Sequence, residues 1–213
     1  MKTDIFIITN GRSTFKYALE SAEKQKSDVR IVVIENMKWV DALNRCLELC
    51  QSEFYLRQDD DMFIHPLCVK YLLYKARKTI NIGAYICKLW EDWSGRPGGY
   101  IKLYNTAATR KVGFKANKLG KVDKPFFKKM SKTKYRAIKD DSLVGLHACG
   151  TIEDEENYRK LWLNQNAKVY YDEPRYLANS RKKYKKTVLE QYELLKTLMN
   201  KNKNTPFYKF RKK

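Results

Sequence analysis

Asp59, Asp60 and Asp61 are three consecutive carboxylates, reached through Phe54-Tyr55-Leu56 and then Arg57-Gln58. An aromatic and apolar triplet of this kind reads as a short strand. Three adjacent negative charges repel one another unless water or a counter-ion screens them. A loop at the end of a strand can aim Asp59 and Asp61 at one hard cation while Asp60 points away. Magnesium or manganese suits such a place, because these ions take few protein carboxylates and complete their shell with water and phosphate oxygens. The plain alternative is a solvated acidic turn, and the order of the surrounding elements weighs against it.

Those elements begin with residues 4–8, Asp-Ile-Phe-Ile-Ile, an apolar run suited to a strand buried on both faces. Thr9-Asn10-Gly11-Arg12-Ser13 ends it with turn chemistry. Phe15, Ala18, Leu19 and Ala22 recur at helical spacing, and residues 29–34 form a second buried strand closed by Glu35-Asn36. Val40, Leu43, Leu47 and Cys50 mark one face of a second helix, which leads to the strand before the carboxylates. The pattern is β-α-β-α-β, half of a doubly wound sheet, in which ligands sit beyond the carboxyl ends of the strands. Thr9 to Arg12, Glu35-Asn36 and Asp59 to Asp61 all fall at those ends. Further on, a helix over 67–78 and a strand over 82–89 are expected. A loop over 90–100 follows, with Trp90, Trp93 and Tyr100 as a lid or stacking surface. A strand over 143–149 carries His147.

The charge is uneven. The chain has 213 residues and a formal net charge of +20. Residues 1–100 carry 15 Lys/Arg against 13 Asp/Glu, and residues 101–213 carry 29 against 11. The first half is an ordinary neutral fold, and the second is built for an anionic partner. Residues 110–139 hold twelve Lys/Arg and one acid, with Phe114, Phe126, Phe127 and Tyr135 interleaved. Basic residues for phosphates and rings for bases are what a nucleic-acid groove uses. The five cysteines are odd in number and lack metal-ligand spacing, so Cys46 and Cys50 read as small core residues in a reducing, cytoplasmic setting. No apolar run approaches the ~18–20 residues that span a bilayer. The tail from residue 181 is basic, with Val188, Leu189, Tyr192, Leu195 and Met199 at helical spacing. That stripe packs on the parent domain or lies on an anionic lipid surface.

Residues 4–66 resemble the family 2 type of glycosyltransferase with the GT-A fold. The resemblance rests on Thr9-Asn10-Gly11-Arg12 after the first strand, Ser21 to Gln25 closing the first helix, Glu35-Asn36, Ala42-Leu43-Asn44 and Asp59-Asp60-Asp61. Gly11 stands where the family has Asn, and Asn36 where it has a second acid. The resemblance implies a single α/β domain over residues 1–180, a GT-A-like doubly wound, mostly parallel sheet with helices on both faces. Residues 1–66 form its donor half and 67–180 its acceptor half, before a basic helical tail over 181–213. It implies a nucleotide-sugar donor, a UDP-sugar foremost, held by Thr9, Asn10, Arg12, Glu35, Asn36, Asn44, Asp59 and Asp60. Asp61 and Asp59 would hold Mn²⁺ or Mg²⁺, with His147 a further ligand or a buried structural histidine. An acid opening the late helix, Asp154 ahead of Glu153 and Glu155, would take the acceptor's proton in an inverting transfer.

The acceptor side is expected at Trp93, Arg96, Tyr100, Arg110 and Lys111. Its charge favours a polyanion, and DNA with hydroxymethylated pyrimidines, as in some viruses, offers a hydroxyl beside dense phosphate. A saccharide or lipid-linked glycan at an anionic membrane surface is the alternative. A nucleic-acid-binding module without enzymatic activity is the reading from another class.

Overall fold

The computed structural model describes residues 2–91, 96–116, 122–148 and 208–209. Its centre is β1, Thr3–Thr9, in which every residue is buried. That is the environment its apolar run demands, because β1 lies between two parallel neighbours. β2 (Val29–Glu35) pairs along its full length from Thr3↔Val29 to Thr9↔Glu35, and β3 (Phe54–Asp59) pairs from Asp4↔Tyr55 to Ile8↔Asp59. The helices α1 (Phe15–Glu23) and α2 (Trp39–Leu49) make the two crossovers. The strand expected to stop at Leu56 runs three residues further, through Arg57 and Gln58, which are buried despite their polarity.

A short β4 (Met62–Ile64) leaves the carboxylate turn, and α3 (Cys68–Arg77) follows it. Beyond come β5 (Ile82–Glu91), β6 (Arg96–Asn105), α4 (Thr106–Val112), α5 (Asp123–Met130), β7 (Arg136–His147) and β8 (Tyr208–Lys209). The order across the sheet is β2-β1-β3-β6-β5-β7-β4, with β8 also on β7. β5 and β7 run parallel, and β6 is antiparallel to both β3 and β5. Parallel ladders join β1 to β2 and β3 and join β5 to β7, and the antiparallel β6 links the two halves. Among the described residues no helix is long and apolar enough to cross a membrane.

Two apolar layers flank the sheet. On one face Ala22 of α1 and Cys68, Val69 and Leu72 of α3 cover Ile5, Ile7 and Leu56. On the other, Leu43 and Leu47 of α2 join Phe6, Tyr55, Tyr104, Phe114, Phe126 and Met130. The Ser21 to Gln25 stretch ties the first layer together with hydrogen bonds. Ser21 Oγ accepts from Ile64 N–H at 3.1 Å, and Gln25 Nε2 donates to the His65 carbonyl at 2.9 Å. Cys46 and Cys50 are buried and free, and burial pushes the Cys46 thiol up to about 12.

Two expectations change here. The loop expected over 90–100 is largely strand, because β5 continues to Glu91 and β6 begins at Arg96. Gly99 marks a close approach rather than a turn. A Cβ on Gly99 would lie 2.7 Å from His147 Nδ1. Two of the four rings of the basic stretch are core rather than a base-stacking surface. Phe114 and Phe126 are 3% and 1% exposed and stack at 4.5 Å, and Tyr104 meets both edge-on. Apolar spacing within α5 decides this, since Phe126 and Met130 sit one helical turn apart and point at the sheet. The lysines of α5 occupy its outer face.

Phe126→Ala should therefore lower stability by about 3–5 kcal/mol, the usual cost of emptying a buried ring site. Urea denaturation of the variant would read the loss. A change within experimental error would mean that the ring is a surface group.

Candidate functional site

The site is assembled where β1, β3, β4 and β7 end or begin together. After Thr9 the chain must reverse sharply, and Gly11 takes φ +81°, which side chains resist. Gly11 N–H donates to Thr9 Oγ1 at 2.9 Å. The Thr9 hydroxyl donates to Asp60 Oδ2 at 2.8 Å, and Asn10 N–H reaches the same oxygen at 3.3 Å. Asp60 N–H closes the loop on the Ile8 carbonyl at 3.1 Å. Asp60 is buried as the clasp between two strand ends.

The reversal also carries Arg12 over the turn after β3. Arg12 Nη1 donates to Asp61 Oδ2 and lies 3.7 Å from Asp60 Oδ1. His147 reaches the same carboxylate from the far side. The β4–β7 pairing sets Met62 opposite His147, and His147 Nε2 stands 3.5 Å from Asp61 Oδ1. Burial pushes the Asp60 carboxyl up, with Asp61 adding repulsion and Arg12 opposing. Burial would raise Asp61 too, but His147 and Arg12 outweigh it and hold that carboxyl well below the usual range.

Asp59 ends β3, and Arg57 Nη2 donates to its Oδ2 at 3.4 Å. Asp59 Oδ1 is buried and accepts no hydrogen bond among the described residues, and Asp61 Oδ1 is buried against the His147 ring. Buried carboxylate oxygens at the end of a strand suit a hard cation. Among the described residues no three His, Cys, Asp or Glu side chains gather as a metal cage. Among the described residues an ion's shell could draw on one or two carboxylates, as magnesium and manganese accept when phosphate oxygens and water supply the rest.

Glu35 lies opposite Thr9 in register and is exposed at the same edge. Asn36 follows at φ +54° and donates its N–H to the Thr9 carbonyl at 3.1 Å. Tyr100, 37% exposed, lies on β6 two residues from Lys102, which pairs with Arg57. Arg96 begins the same strand.

Three expected residues are not at this edge. Asn44 sits in the middle of α2 and donates to the Phe114 carbonyl at 3.4 Å. Arg110 Nη2 donates to the Leu47 and Cys50 carbonyls at 3.3 and 2.9 Å, closing the C-terminal end of α2. Lys111 follows it on α4, which leaves β6 at Asn105, opposite Phe54 at the start of β3. The antiparallel course of β6 is the reason, since it carries the chain back to the far edge before α4 begins. Trp93, Glu153, Asp154 and Glu155 lie outside the described residues.

A second polar group adjoins the carboxylates and was not foreseen. Arg57 and Lys102 face each other across β3 and β6, both buried. Asp123, at the start of α5, lies 3.8 Å from Arg57 Nη1 and 2.5 Å from Lys102 Nζ. Trp39, at the start of α2, covers the guanidinium with its ring 4.8 Å away. The signal available in the sequence was a pair of charges inside strand-forming runs, at Arg57 and Lys102.

No protein-family model matches the sequence, and no curated protein matches it. Similar solved structures exist. One is the mannosyltransferase PcManGT from Pyrobaculum calidifontis in complex with GDP-Man and Mn²⁺. It has 13% identity over 96% of this chain and 81% of that one, with a TM-score of 0.57. Another is S. aureus TarS 1–349, with 14% identity over 76% of this chain and a TM-score of 0.51; the match spans 64% of the TarS chain. A third is glucosyl-3-phosphoglycerate synthase from Mycobacterium tuberculosis in complex with Mn²⁺, UDP and phosphoglyceric acid. It has 11% identity over 68% of this chain and 70% of that one, at 0.51. These likenesses are of fold, and they define this chain as having the GT-A fold expected from residues 4–66.

Burial, with Arg57 adding repulsion, lowers the Lys102 ammonium from its ordinary 10.5 to about 8, against the pull of Asp123. Between about pH 8 and 10.5 the folded state then binds fewer protons at this residue than the unfolded state, so its contribution to stability rises with pH. Thermal melts from pH 7.5 to 10.5 should show the wild type gaining on Lys102→Met across that window. Parallel curves would contradict the assignment.

Proposed function

We propose that this protein is a metal-dependent glycosyltransferase that moves a sugar from a nucleotide-sugar donor to a hydroxyl of an anionic acceptor. The observation that carries the reading is the carboxyl-edge turn, where Asp59 keeps a buried oxygen without a hydrogen bond among the described residues and Asp61 is buried between Arg12 and His147. The fold adds support, because proteins sharing it have been captured with GDP-Man and Mn²⁺, or with UDP and Mn²⁺ or Mg²⁺. A divalent cation on Asp61 and Asp59 would supply charge stabilisation for the departing diphosphate.

The chain's own residues do the rest. Asp60 locks the turn after β1 onto the turn after β3, so donor and ion sites keep one geometry. Arg12 faces the diphosphate and adds a second positive charge where negative charge develops. Glu35, exposed opposite Thr9, receives the nucleoside. His147 borders Asp61 and orients its carboxylate. The acceptor hydroxyl loses its proton to Asp154, or to its neighbours Glu153 or Glu155, as it attacks the anomeric carbon with inversion.

For the acceptor, the proposal is DNA carrying hydroxymethylated pyrimidines. Its support is the charge of residues 101–213 and the exposed Lys124, Lys128, Lys132, Lys134, Arg136 and Lys139. The buried Phe114 and Phe126 take no part in base stacking, so the contacts of these two places are withdrawn and the exposed lysines serve phosphates.

A nucleotide-sugar panel with Mn²⁺ tests the reaction class. Saturating the right donor at 100 times its dissociation constant should stabilise the protein by about 2.7 kcal/mol. Asp61→Asn should lose the metal-dependent part of that gain. No stabilisation by any donor would overturn the reading. Transfer assays on duplex DNA with and without hydroxymethylated bases, beside anionic liposomes, test the acceptor. With a DNA acceptor, Asp154→Asn should abolish transfer while leaving donor affinity nearly intact. If Asp154→Asn keeps normal turnover and Glu153→Gln or Glu155→Gln loses it, the base is that neighbour.

A further inference from the structure

The turn between α3 and β5 displays its one apolar side chain to solvent. Ile80 is 77% exposed, at the end of the sheet where β5 and β7 begin. Hydrogen bonds close the turn on both sides of it. Thr79 donates its N–H to the Ala76 carbonyl and its hydroxyl to the Lys75 carbonyl, both at 3.0 Å. Asn81 follows at φ +55°. Arg136 donates its N–H to the Asn81 carbonyl at 3.0 Å and its Nε to the Ile80 carbonyl at 3.3 Å. Ile80 is thus held outward by an ordered turn and does not fold back onto the core.

The ground around Ile80 is basic. The chain from Met62 to Trp90 contains no Asp or Glu, and neither does the chain from Lys124 to Lys139. The pairing of Ile82 with Arg136 brings these two runs together at the corner. The outward face of α3 leads up to it with Lys70, Tyr74, Arg77 and the capping Lys78, all exposed and at helical spacing. Tyr74 is 54% exposed, and Lys78 Nζ lies 4.3 Å from its ring centre. Lys134 and Arg136 are exposed on the second run.

An apolar tip and a tyrosine ring set among cations fit one kind of partner best. A phosphate backbone would use the charge and gain nothing from Ile80. A bilayer with anionic headgroups uses both, because cations meet the headgroups while an apolar side chain enters the boundary with the acyl chains. Tyrosine favours that same depth, with its ring in apolar surroundings and its hydroxyl in water. We propose that the α3–β5 corner, Ile80 and Tyr74 with Lys70, Arg77 and Lys78, docks the protein on an anionic lipid surface. β7 begins at this corner and ends at His147 beside Asp61. Its length, about 35 Å at the usual rise of a strand, holds the carboxyl edge away from the lipid and open to solvent. The inference goes beyond the transfer reaction and does not depend on it.

Co-sedimentation of the full chain with phosphatidylcholine vesicles, with and without phosphatidylserine, tests it. The wild type should bind the anionic vesicles, more weakly as salt rises, and leave the neutral ones in solution. Arg77→Gln with Lys78→Gln should weaken binding by about tenfold or more, since each cation near such a surface contributes about fivefold. Ile80→Ser should weaken it by about tenfold with the salt dependence unchanged. These side chains are exposed, so the variants should melt with the wild type. No binding to anionic vesicles would overturn the proposal. So would binding that survives both sets of substitutions, which would place the contact elsewhere on the chain. If the Arg77 and Lys78 substitutions weaken binding to duplex DNA and leave vesicle binding unchanged, the corner serves nucleic acid and the lipid assignment is overturned.

Discussion

Three consecutive carboxylates at the end of one strand can be buried only if each is held by something different. The structure meets that constraint three times over. Asp60 takes the Thr9 hydroxyl and the Asn10 amide. Asp61 takes Arg12 on one oxygen and faces His147 with the other. Asp59 takes Arg57 from its own strand. The partners come from the turn after β1, from β3 itself and from the end of β7, so neutralising the turn fixes the relative places of these strands. Strand order, the left-handed glycine after β1 and the glycine against His147 are all consequences of bringing charge to these residues. The account of function depends on the same fact, since Asp59 Oδ1 stays buried without a hydrogen bond among the described residues and Asp61 Oδ1 meets the His147 ring at 3.5 Å.

The first half was legible because its signals were local. Continuous apolar runs at 4–8 and 29–34 can hardly be anything but buried parallel strands, and polar clusters at their ends had to share one edge of the sheet. The second half was harder for a physical reason. Its central strand β6 is antiparallel and contains Pro97, Gly98 and Gly99, residues that usually break strands. Gly99 is there to admit His147 rather than to turn the chain. Gly145 plays a like part, since a Cβ there would lie 2.3 Å from the Phe63 carbonyl. Close approaches between distant residues leave no mark in the local pattern.

The basic stretch failed for the opposite reason, because two signals were superposed. Phe126 and Met130 carried a helical core period, while Lys124, Lys128 and Lys129 filled exposed positions of the same helix. Charge dominated the reading, and the rings were taken with it. Arg57 and Lys102 were hidden in the same way, as charges inside strands whose purpose appears only when the ladder sets them face to face. Asn44, Arg110 and Lys111 were misplaced because their helices run away from the carboxyl edge, a matter of topology rather than composition.

The central claim is that Asp61 and the diphosphate of a nucleotide share one divalent ion. Anomalous diffraction from crystals grown with Mn²⁺ and the nucleoside diphosphate that binds most tightly would test it most directly. The account predicts a manganese peak between the Asp61 carboxylate and the diphosphate oxygens, with Arg12 beside the phosphates. Nucleotide bound with no manganese at Asp61, or manganese held elsewhere, would contradict it.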